Sequence, residues 1–188
     1  MRWTIKREQG VVVDVSKELL YQHLRLFPEN GSHPEDTSIS QYLEAATSWA
    51  EGYTRREIAP KTVELYTDCL PHHFDLPASP VISVESVEYL DINGDWVALD
   101  AVVDEYSDPP YVQVESFPDD WAGGRNSIKV VLTAGYESIP SDMLSGLLLL
   151  CGHWFENRES VVIGAVANQV PQTVEALLYP FRALDFER

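Results

Sequence analysis

The sequence predicts an α+β fold, in which a helical bundle carries a small antiparallel β-unit inserted between its second and third helices. Apolar residues recur at spacings of three and four before residue 57 and again after residue 140, as in amphipathic helices. Between residues 63 and 134 they alternate with polar residues, as in strands with one solvent-facing side. With 188 residues and 45% hydrophobic content, we expect one domain, 1–188, with an acidic β-rich insertion at 63–134.

Two helices are predicted before the β-unit. Asp14 or Ser16 can cap a first short helix, whose apolar stripe runs from Leu19 to Phe27 and stops at Pro28. Thr37 or Ser38 then caps a longer helix that extends to about Glu57. Its apolar positions fall on one stripe, so we expect Trp49 and Tyr53 in the core.

The β-unit contains a predicted hairpin at Asn93 and Gly94, a pair that supplies the positive φ angles of a tight turn. Further strands are predicted near residues 63–69, 111–114 and 128–133. Because apolar residues alternate with carboxylates, we expect each acid to point to water. Trp121 lies in the loop 116–127, where it either folds under the sheet or contacts a partner.

Helical periodicity returns at Pro140 and Ser141, which form a start signal for a third helix that is apolar almost all round. Gly146 and Gly152 lower its helix propensity, and we expect another helix to cross closely there. A last short helix follows Pro171.

The charge of the chain is strongly negative and unevenly placed. The formal net charge is −17, and neither Lys nor Arg occurs between Lys61 and Arg125. A surface of this sign repels phosphate, so this segment is not expected to bind nucleic acid. A simpler interpretation is a solvated acidic surface that aids solubility.

No stretch is long and apolar enough for a membrane span, and the N-terminus lacks the apolar run of a signal peptide. Cys69 and Cys151 both lie in apolar settings typical of reduced thiols. We therefore expect a soluble, unsecreted protein that is made in the cytoplasm and does not associate with membranes.

The stretch LLLLCGHWFENRES raises the question of metal or catalytic chemistry. His153 and Glu156 are three residues apart on a helix, and Cys151 or the pair His72 and His73 could complete a metal site. HxxE without a second histidine one turn on is a weak zinc signature. The alternative is scaffolding, with Arg158 near the negative end of the helix and His153 bonded to a backbone carbonyl.

Other signals of enzymes are missing from the sequence. It contains no GxGxxG, no GxxxxGK[ST] and no GxSxG motif, and no two carboxylates stand out as an acid and base pair. We therefore predict neither catalysis nor a cofactor.

Three stretches together resemble the head-tail connector (adaptor, head-completion) proteins of tailed phages, which also occur in prophages and gene transfer agents. They are LPASPVISVESVEYLDINGDW, VVLTAGYESIPSDMLSGLLLLCGHWFENRESV and PQTVEALLYPFR, and they span roughly residues 63 to 182. The second is the most specific, because TAGY, a proline link and a leucine-rich helix ending in HWFENRE occur together in such adaptors. The first two helices match in position only, and residues 1–13 have no counterpart.

The resemblance implies a structural protein of the virion neck, made in the host bacterium. About twelve copies would form a closed ring under the portal. The ring would extend the DNA channel without specific DNA binding and receive a stopper or tail-terminator protein. The helix ending in HWFENRE then becomes a packing signature, formed by Leu148, Cys151, His153, Trp154 and Phe155.

The C-terminal arm is the predicted portal-docking element, as the resemblance also implies. Aromatic, apolar and basic side chains alternate there, a combination enriched at binding hot spots: Phe181, Arg182, Leu184, Phe186 and Arg188. The alternative is that Phe181 and Phe186 fold back onto the bundle of their own subunit.

Two other functions remain open alongside the neck adaptor. An acidic DNA-mimic or inhibitor protein would need acids clustered on one face at phosphate spacing, whereas here they alternate along strands and the helical part is taken to be near neutral. A metal-dependent hydrolase would need a metal or a pocket.

Overall fold

The computed structural model describes residues 1–158 and 170–183, which divide into two compact units. A β-rich unit comprises Met1–Val11 and Ala59–Glu137, and a helical unit comprises Val12–Ile58 and the chain from Ser138 onward. The predicted α+β class, with a β-unit between the second and third helices, is confirmed. The β-rich unit also takes in the N-terminal residues, which the predicted insertion 63–134 leaves out.

In the part of the chain that the structure describes, the helical unit contains four α-helices: α1 (Lys17–Leu24), α2 (Asp36–Thr54), α3 (Ser141–Glu156) and α4 (Gln172–Leu178). α3 packs against the other three. Its buried side chains include Met143, Leu147 and Leu150, none of which is exposed to solvent. No helix in the described part of the chain is long and apolar enough to cross a membrane.

The start of α1 follows the prediction, and the entry into α2 does not. The Ser16 side chain accepts a hydrogen bond from the Leu19 amide. α2 begins at Asp36, so Thr37 and Ser38 lie inside the helix rather than at its cap. Asp36 instead accepts the Tyr21 hydroxyl at 2.6 Å. This bond raises the pKa of Tyr21 to about 12 and connects α1 to the first turn of α2.

Three predicted apolar positions of the first two helices are also corrected. α1 ends at Leu24, which leaves Phe27 outside the helix with 88% of its surface exposed. Trp49 and Tyr53 stack face to face, with ring centroids 5.1 Å apart, but both are only half-buried.

The two glycines of α3 mark close helix crossings, as predicted. A methyl group on Gly146 would lie 3.4 Å from Leu178 of α4, and one on Gly152 would lie 3.2 Å from His23 of α1. The small residues therefore set how closely α4 and α1 approach α3.

The β-rich unit contains eight strands, all paired antiparallel: β1 (Trp3–Arg7), β2 (Lys61–Thr67), β3 (His73–Asp75), β4 (Val81–Leu90), β5 (Trp96–Ala98), β6 (Ala101–Asp104), β7 (Tyr111–Val114) and β8 (Ile128–Ala134). One sheet has the order β1-β2-β8-β4-β5, and the other has the order β3-β7-β6. The sequence pattern predicts neither β1, β3 nor β6.

Both sheets contribute to one apolar core. Alternate residues of β8 supply its centre: Ile128, Val130, Leu132 and Ala134 are all fully buried. β3 and β7 add Phe74 and Val112 from the second sheet. The predicted period of two is therefore correct, and it points the apolar side of each sheet at the other.

The glycine in TAGY is required by backbone packing. Gly135 has φ +133°, and an added Cβ would lie 2.7 Å from backbone atoms of Ala59 and Pro60. No other residue fits without moving the chain, since backbone cannot swing aside as a side chain can.

Gly135→Ala is therefore expected to destabilise the protein by at least about 2 kcal/mol, because it adds both a backbone clash and an unfavourable φ. Gly52→Ala is the matched control. Gly52 lies in α2 with open space around it, so its replacement should stabilise the helix by about 1 kcal/mol. Chemical denaturation of both variants measures the difference, and equal stabilities would contradict the close-packing role of Gly135.

Candidate functional site

The predicted packing signature on α3 lies mainly inside the helical unit. Leu148 and Cys151 are buried in a cluster with α1 and α2, and Phe155 packs against that cluster. The Phe155 ring meets Tyr42 edge to face at 6.4 Å, and Trp154 is half-buried. Burial raises the pKa of the Cys151 thiol to about 11. The thiol is therefore protonated at neutral pH and is a poor nucleophile or metal ligand.

The expected bond from His153 to a backbone carbonyl is wrong. Its buried Nε2 has no hydrogen-bond partner among the described residues, and its Nδ1 lies 3.5 Å from the Asn157 side-chain amide. That amide bonds to the His153 carbonyl at 2.8 Å and so caps the helix. Glu156 is exposed. In residues 1–158 and 170–183, no three His, Cys, Asp or Glu side chains form a group that could hold a metal.

Arg158 lies at the negative end of α3, as predicted. Its Nε donates to the Phe155 carbonyl at 3.3 Å, and its guanidinium lies over the Phe155 ring. The two terminal nitrogens reach both carboxylate oxygens of Glu35, at 3.3 and 2.9 Å. This two-point contact joins the end of α3 to the residue that precedes α2.

The described part of the C-terminal arm folds onto α2. The Arg56 Nε donates to the Phe181 carbonyl at 2.7 Å, and the Ala183 amide donates to the Thr54 carbonyl at 2.8 Å. The Arg182 guanidinium lies 5.2 Å from the centre of the Tyr53 ring. The remaining predicted docking residues, Leu184, Phe186 and Arg188, lie outside the described residues.

Trp121 packs against the core between the two sheets. Its indole nitrogen donates to the Ser127 hydroxyl at 3.1 Å, and its backbone forms a bridge with Asp91. Of the two alternatives left open by the sequence, the structure favours the folded position. A contact between Trp121 and a partner stays a prediction.

Several acids of the β-rich unit do not point to water, so that expectation is wrong. Asp91 is only 7% exposed and accepts the amides of Asn93 and Asp95, both at 2.8 Å. Of the predicted turn pair, only Gly94 has positive φ, at 91°. The Asp91 carboxylate therefore stabilises the turn, in which Asn93 does not adopt the expected positive φ.

Other carboxylates have similar roles within the β-rich unit. Glu105 accepts the Val84 amide at 2.7 Å, beside an irregularity in β4, and Asp68 accepts the Asn126 amide at 2.6 Å. Asp104 accepts hydrogen bonds from both the hydroxyl and the backbone amide of Ser107. These acids satisfy backbone donors that no strand pairs.

The side of the five-stranded sheet away from the core carries a polar and aromatic cluster. Tyr66 donates to Glu64 at 2.7 Å and accepts from Lys6 at 3.5 Å. The Tyr66 bond lowers the pKa of Glu64. Lys129 binds Glu88 and lies 5.2 Å from the Trp96 ring centre. Local spacing in the sequence does not indicate this cluster, because its members come from five strands.

Exposed apolar side chains mark further candidate contact points. Ile92 is 73% exposed at the hairpin turn, and Tyr106 is 96% exposed between β6 and β7. The spacing of apolar residues in the sequence gives no indication that either side chain is exposed.

The helical unit is more acidic than expected. It contains 14 acidic and seven basic residues, so it is not near neutral. The expected contrast in charge between the two parts of the chain, which counted against a DNA mimic, is therefore weak. Acids such as Asp91 and Glu105, however, accept hydrogen bonds from backbone amides of their own chain. They are therefore not arranged on the surface as the phosphates of DNA are.

Comparison with solved structures supplies a match over nearly the whole chain. A chain in the neck of an empty gene transfer agent (GTA) particle, computed with C6 symmetry, is 24% identical with a TM-score of 0.77, and the match covers 96% of both chains. The likeness establishes the fold. A chain in the virion of a native GTA particle is 23% identical, with a TM-score of 0.74 over 96% of this chain and 95% of that one.

A third similar chain comes from the neck of a native GTA particle computed with C12 symmetry. It is 20% identical, with a TM-score of 0.66 over 95% of this chain and 96% of that chain. No family model matches the sequence, and no curated protein has significant similarity to it.

The hairpin carboxylate predicts a pH dependence of stability. The backbone amide of Asp95, the first of several donors, lowers the pKa of Asp91 in the folded state. Its stabilisation is therefore present above the unfolded pKa of about 4 and is lost as pH falls through the lower folded value. Asp91→Asn should reduce the free energy of unfolding at pH 7 and bring it closer to the wild-type value in strong acid. Urea denaturation at several pH values measures this, and a constant difference would contradict it.

Proposed function

We propose that this chain is a structural subunit of the neck of a phage-like particle, and not an enzyme. One observation carries the proposal: the fold matches neck chains of GTA particles over 95–96% of its length. The resemblance of TAGY and HWFENRE to head-tail connectors supports it independently, because those stretches were identified from sequence alone. The chain would be made in a bacterial host and reside at the head-tail interface of the virion.

In this function about twelve copies form a ring below the portal, extend the DNA channel and receive the stopper or tail-terminator protein. The C6 and C12 symmetries of the similar necks support a closed ring. The charge of −17 supports a channel that DNA crosses without binding. The same charge opposes assembly of free copies, so the portal would nucleate the ring.

The acidic β-rich unit is proposed to line the channel or to face the next neck protein. Reversing four of its exposed acids to lysine, at Asp75, Glu85, Glu115 and Asp119, should leave the fold intact and slow DNA passage. Cryo-electron microscopy of particles locates the subunit, and the rate of DNA ejection at low salt measures passage, since screening is weakest there.

The matched control reverses four exposed acids of the helical unit, namely Asp14, Glu29, Glu44 and Glu156, which changes the net charge equally. Ejection slowed equally by both variants would point to total charge rather than to the β-rich unit. Normal ejection in the first variant would refute the channel role, and absence of the chain from the neck would refute the proposed function.

The C-terminal arm is proposed to dock into the portal, with Phe181 and Arg182 at its root. Their contacts with Arg56 and Tyr53 favour the alternative in which these two residues fold back onto the helical unit. These contacts would fix the position from which the rest of the arm extends. Docking would then fall mainly to Leu184, Phe186 and Arg188.

Two truncations separate docking from folding. Deleting residues 184–188 spares the bonds of Arg56 to Phe181 and of Thr54 to Ala183, so stability should stay unchanged while portal binding is lost. Deleting residues 181–188 should also lower the melting temperature. Co-sedimentation with portal rings measures binding; wild-type affinity in the shorter truncation would refute docking by residues 184–188.

A further inference from the structure

We propose that neighbouring copies of this chain pair through opposite edges of the five-stranded sheet, the outer edge of β5 in one copy against the outer edge of β1 in the next. The inference rests on the proposed ring. A closed ring needs two different, complementary surfaces on each copy, because its interfaces are head-to-tail. The two ends of one sheet supply such a pair.

Both edges offer unpaired backbone groups. No described strand lies outside β1 or β5. The Glu8 amide bonds to Thr62, so in β1 alternation turns the backbone groups of Trp3 and Ile5 outward. The Leu99 amide bonds to Val87, which in the same way turns those of Trp96 and Ala98 outward from β5.

The strand directions allow this pairing. The sheet has an odd number of strands, each antiparallel to the next, so β1 and β5 run in the same direction. Rotation about a ring axis along the strands preserves direction. The edge of β5 would therefore meet the neighbouring β1 as a parallel pair.

The register also fits without stagger. Paired residues place Thr4, Tyr66, Lys129, Glu88 and Ala98 in one row across the sheet. In the pair between copies, Ala98 would face Thr4. Its N–H would then meet the Trp3 carbonyl and its C=O the Ile5 N–H, which is the bonding pattern of a parallel ladder.

Charge selects which edges pair. Six basic residues occur in the β-rich unit, and three of them, Arg2, Lys6 and Arg7, belong to β1 or adjoin it. Asp95 and Asp100 flank β5. Like charges disfavour β1 against β1 and β5 against β5, whereas the mixed pair is attractive. The strand registers place Lys6, Glu64 and Ser86 in one row across the sheet. Val87 pairs with Leu99 across the hairpin, so the preceding Ser86 lies level with Asp100. In the pair between copies, Lys6 of one copy would therefore approach Asp100 of the next.

Disulfide trapping tests the pairing. Thr4 and Ala98 are exposed, share one row, and would have Cα atoms about 4.8 Å apart in the pair, within the range that a disulfide spans. The exposed Cys69 is first changed to Ser, whereas the buried Cys151 stays. Particles carrying Thr4→Cys with Ala98→Cys are then oxidised mildly, and their necks are analysed on non-reducing gels.

The expected result is a ladder of covalent multimers that extends to the full ring and collapses on reduction. Thr4→Cys with Gln113→Cys is the matched control, since Gln113 is exposed on β7, away from both edges, and this variant should remain monomeric on the gel. Mixed subunits carrying only one of Thr4→Cys or Ala98→Cys should give dimers, and either variant alone should give none.

Two failures are distinguishable. If microscopy shows the ring in the neck but Thr4→Cys with Ala98→Cys yields no more multimers than the control, edge pairing is wrong and the proposed function stands. If the chain is absent from the neck, the proposed function itself fails.

Discussion

The excess of 30 acidic over 13 basic residues is the constraint on which most of the polar interactions in this structure depend. Mutual repulsion among so many carboxylates opposes a compact state. Part of that repulsion is offset locally, because acids such as Asp91, Glu105 and Asp68 accept backbone amides that the strands leave unpaired. The remaining acids face solvent, where they give the surface a strongly negative potential. The acidic side chains thus stabilise the loops and also give the surface its negative charge.

The scarce basic residues gain importance from this imbalance. In the helical unit, Lys17 lies 3.1 Å from Asp36 at the start of α2, and Arg158 contacts Glu35 beside it. In the β-rich unit, Lys6 and Lys129 lie on the outer side of the five-stranded sheet among aromatic rings. Each of these cations connects its own element with a neighbouring one, so a few positive charges join several parts of the chain.

Much of the fold could be predicted from the sequence, because it depends on local periodicity. The α3 stripe, β8 and the role of Gly146 all follow from the spacing of apolar or small residues. β1 could not be found this way: Trp3 and Ile5 are too short a pattern, and the strand exists because β2 offers an edge to pair with. The hairpin turn was placed correctly, but its stabilisation by Asp91 depends on a side-chain orientation that spacing does not encode.

The candidate site was less predictable, because it depends on contacts between residues that are distant in the sequence. The interpretation of HWFENRE as packing is supported for Cys151 and Phe155, whereas the unpartnered nitrogen of His153 depends on surroundings from other helices. The position of Phe181 at the start of the C-terminal arm depends on Arg56, which lies 125 residues earlier in the chain. Contacts between residues far apart in the chain carry no signal in a single sequence.

The contact between Arg158 and Glu35 has a mechanical consequence. A force applied to the chain after residue 158 would normally unravel α3 from its last turn, because the final carbonyls of a helix have no intrahelical partner. Here the guanidinium holds the Phe155 carbonyl and both oxygens of Glu35, so tension would pass into α2 instead of unzipping α3. The two-point contact would thus let the helical unit bear strain along the chain without unravelling.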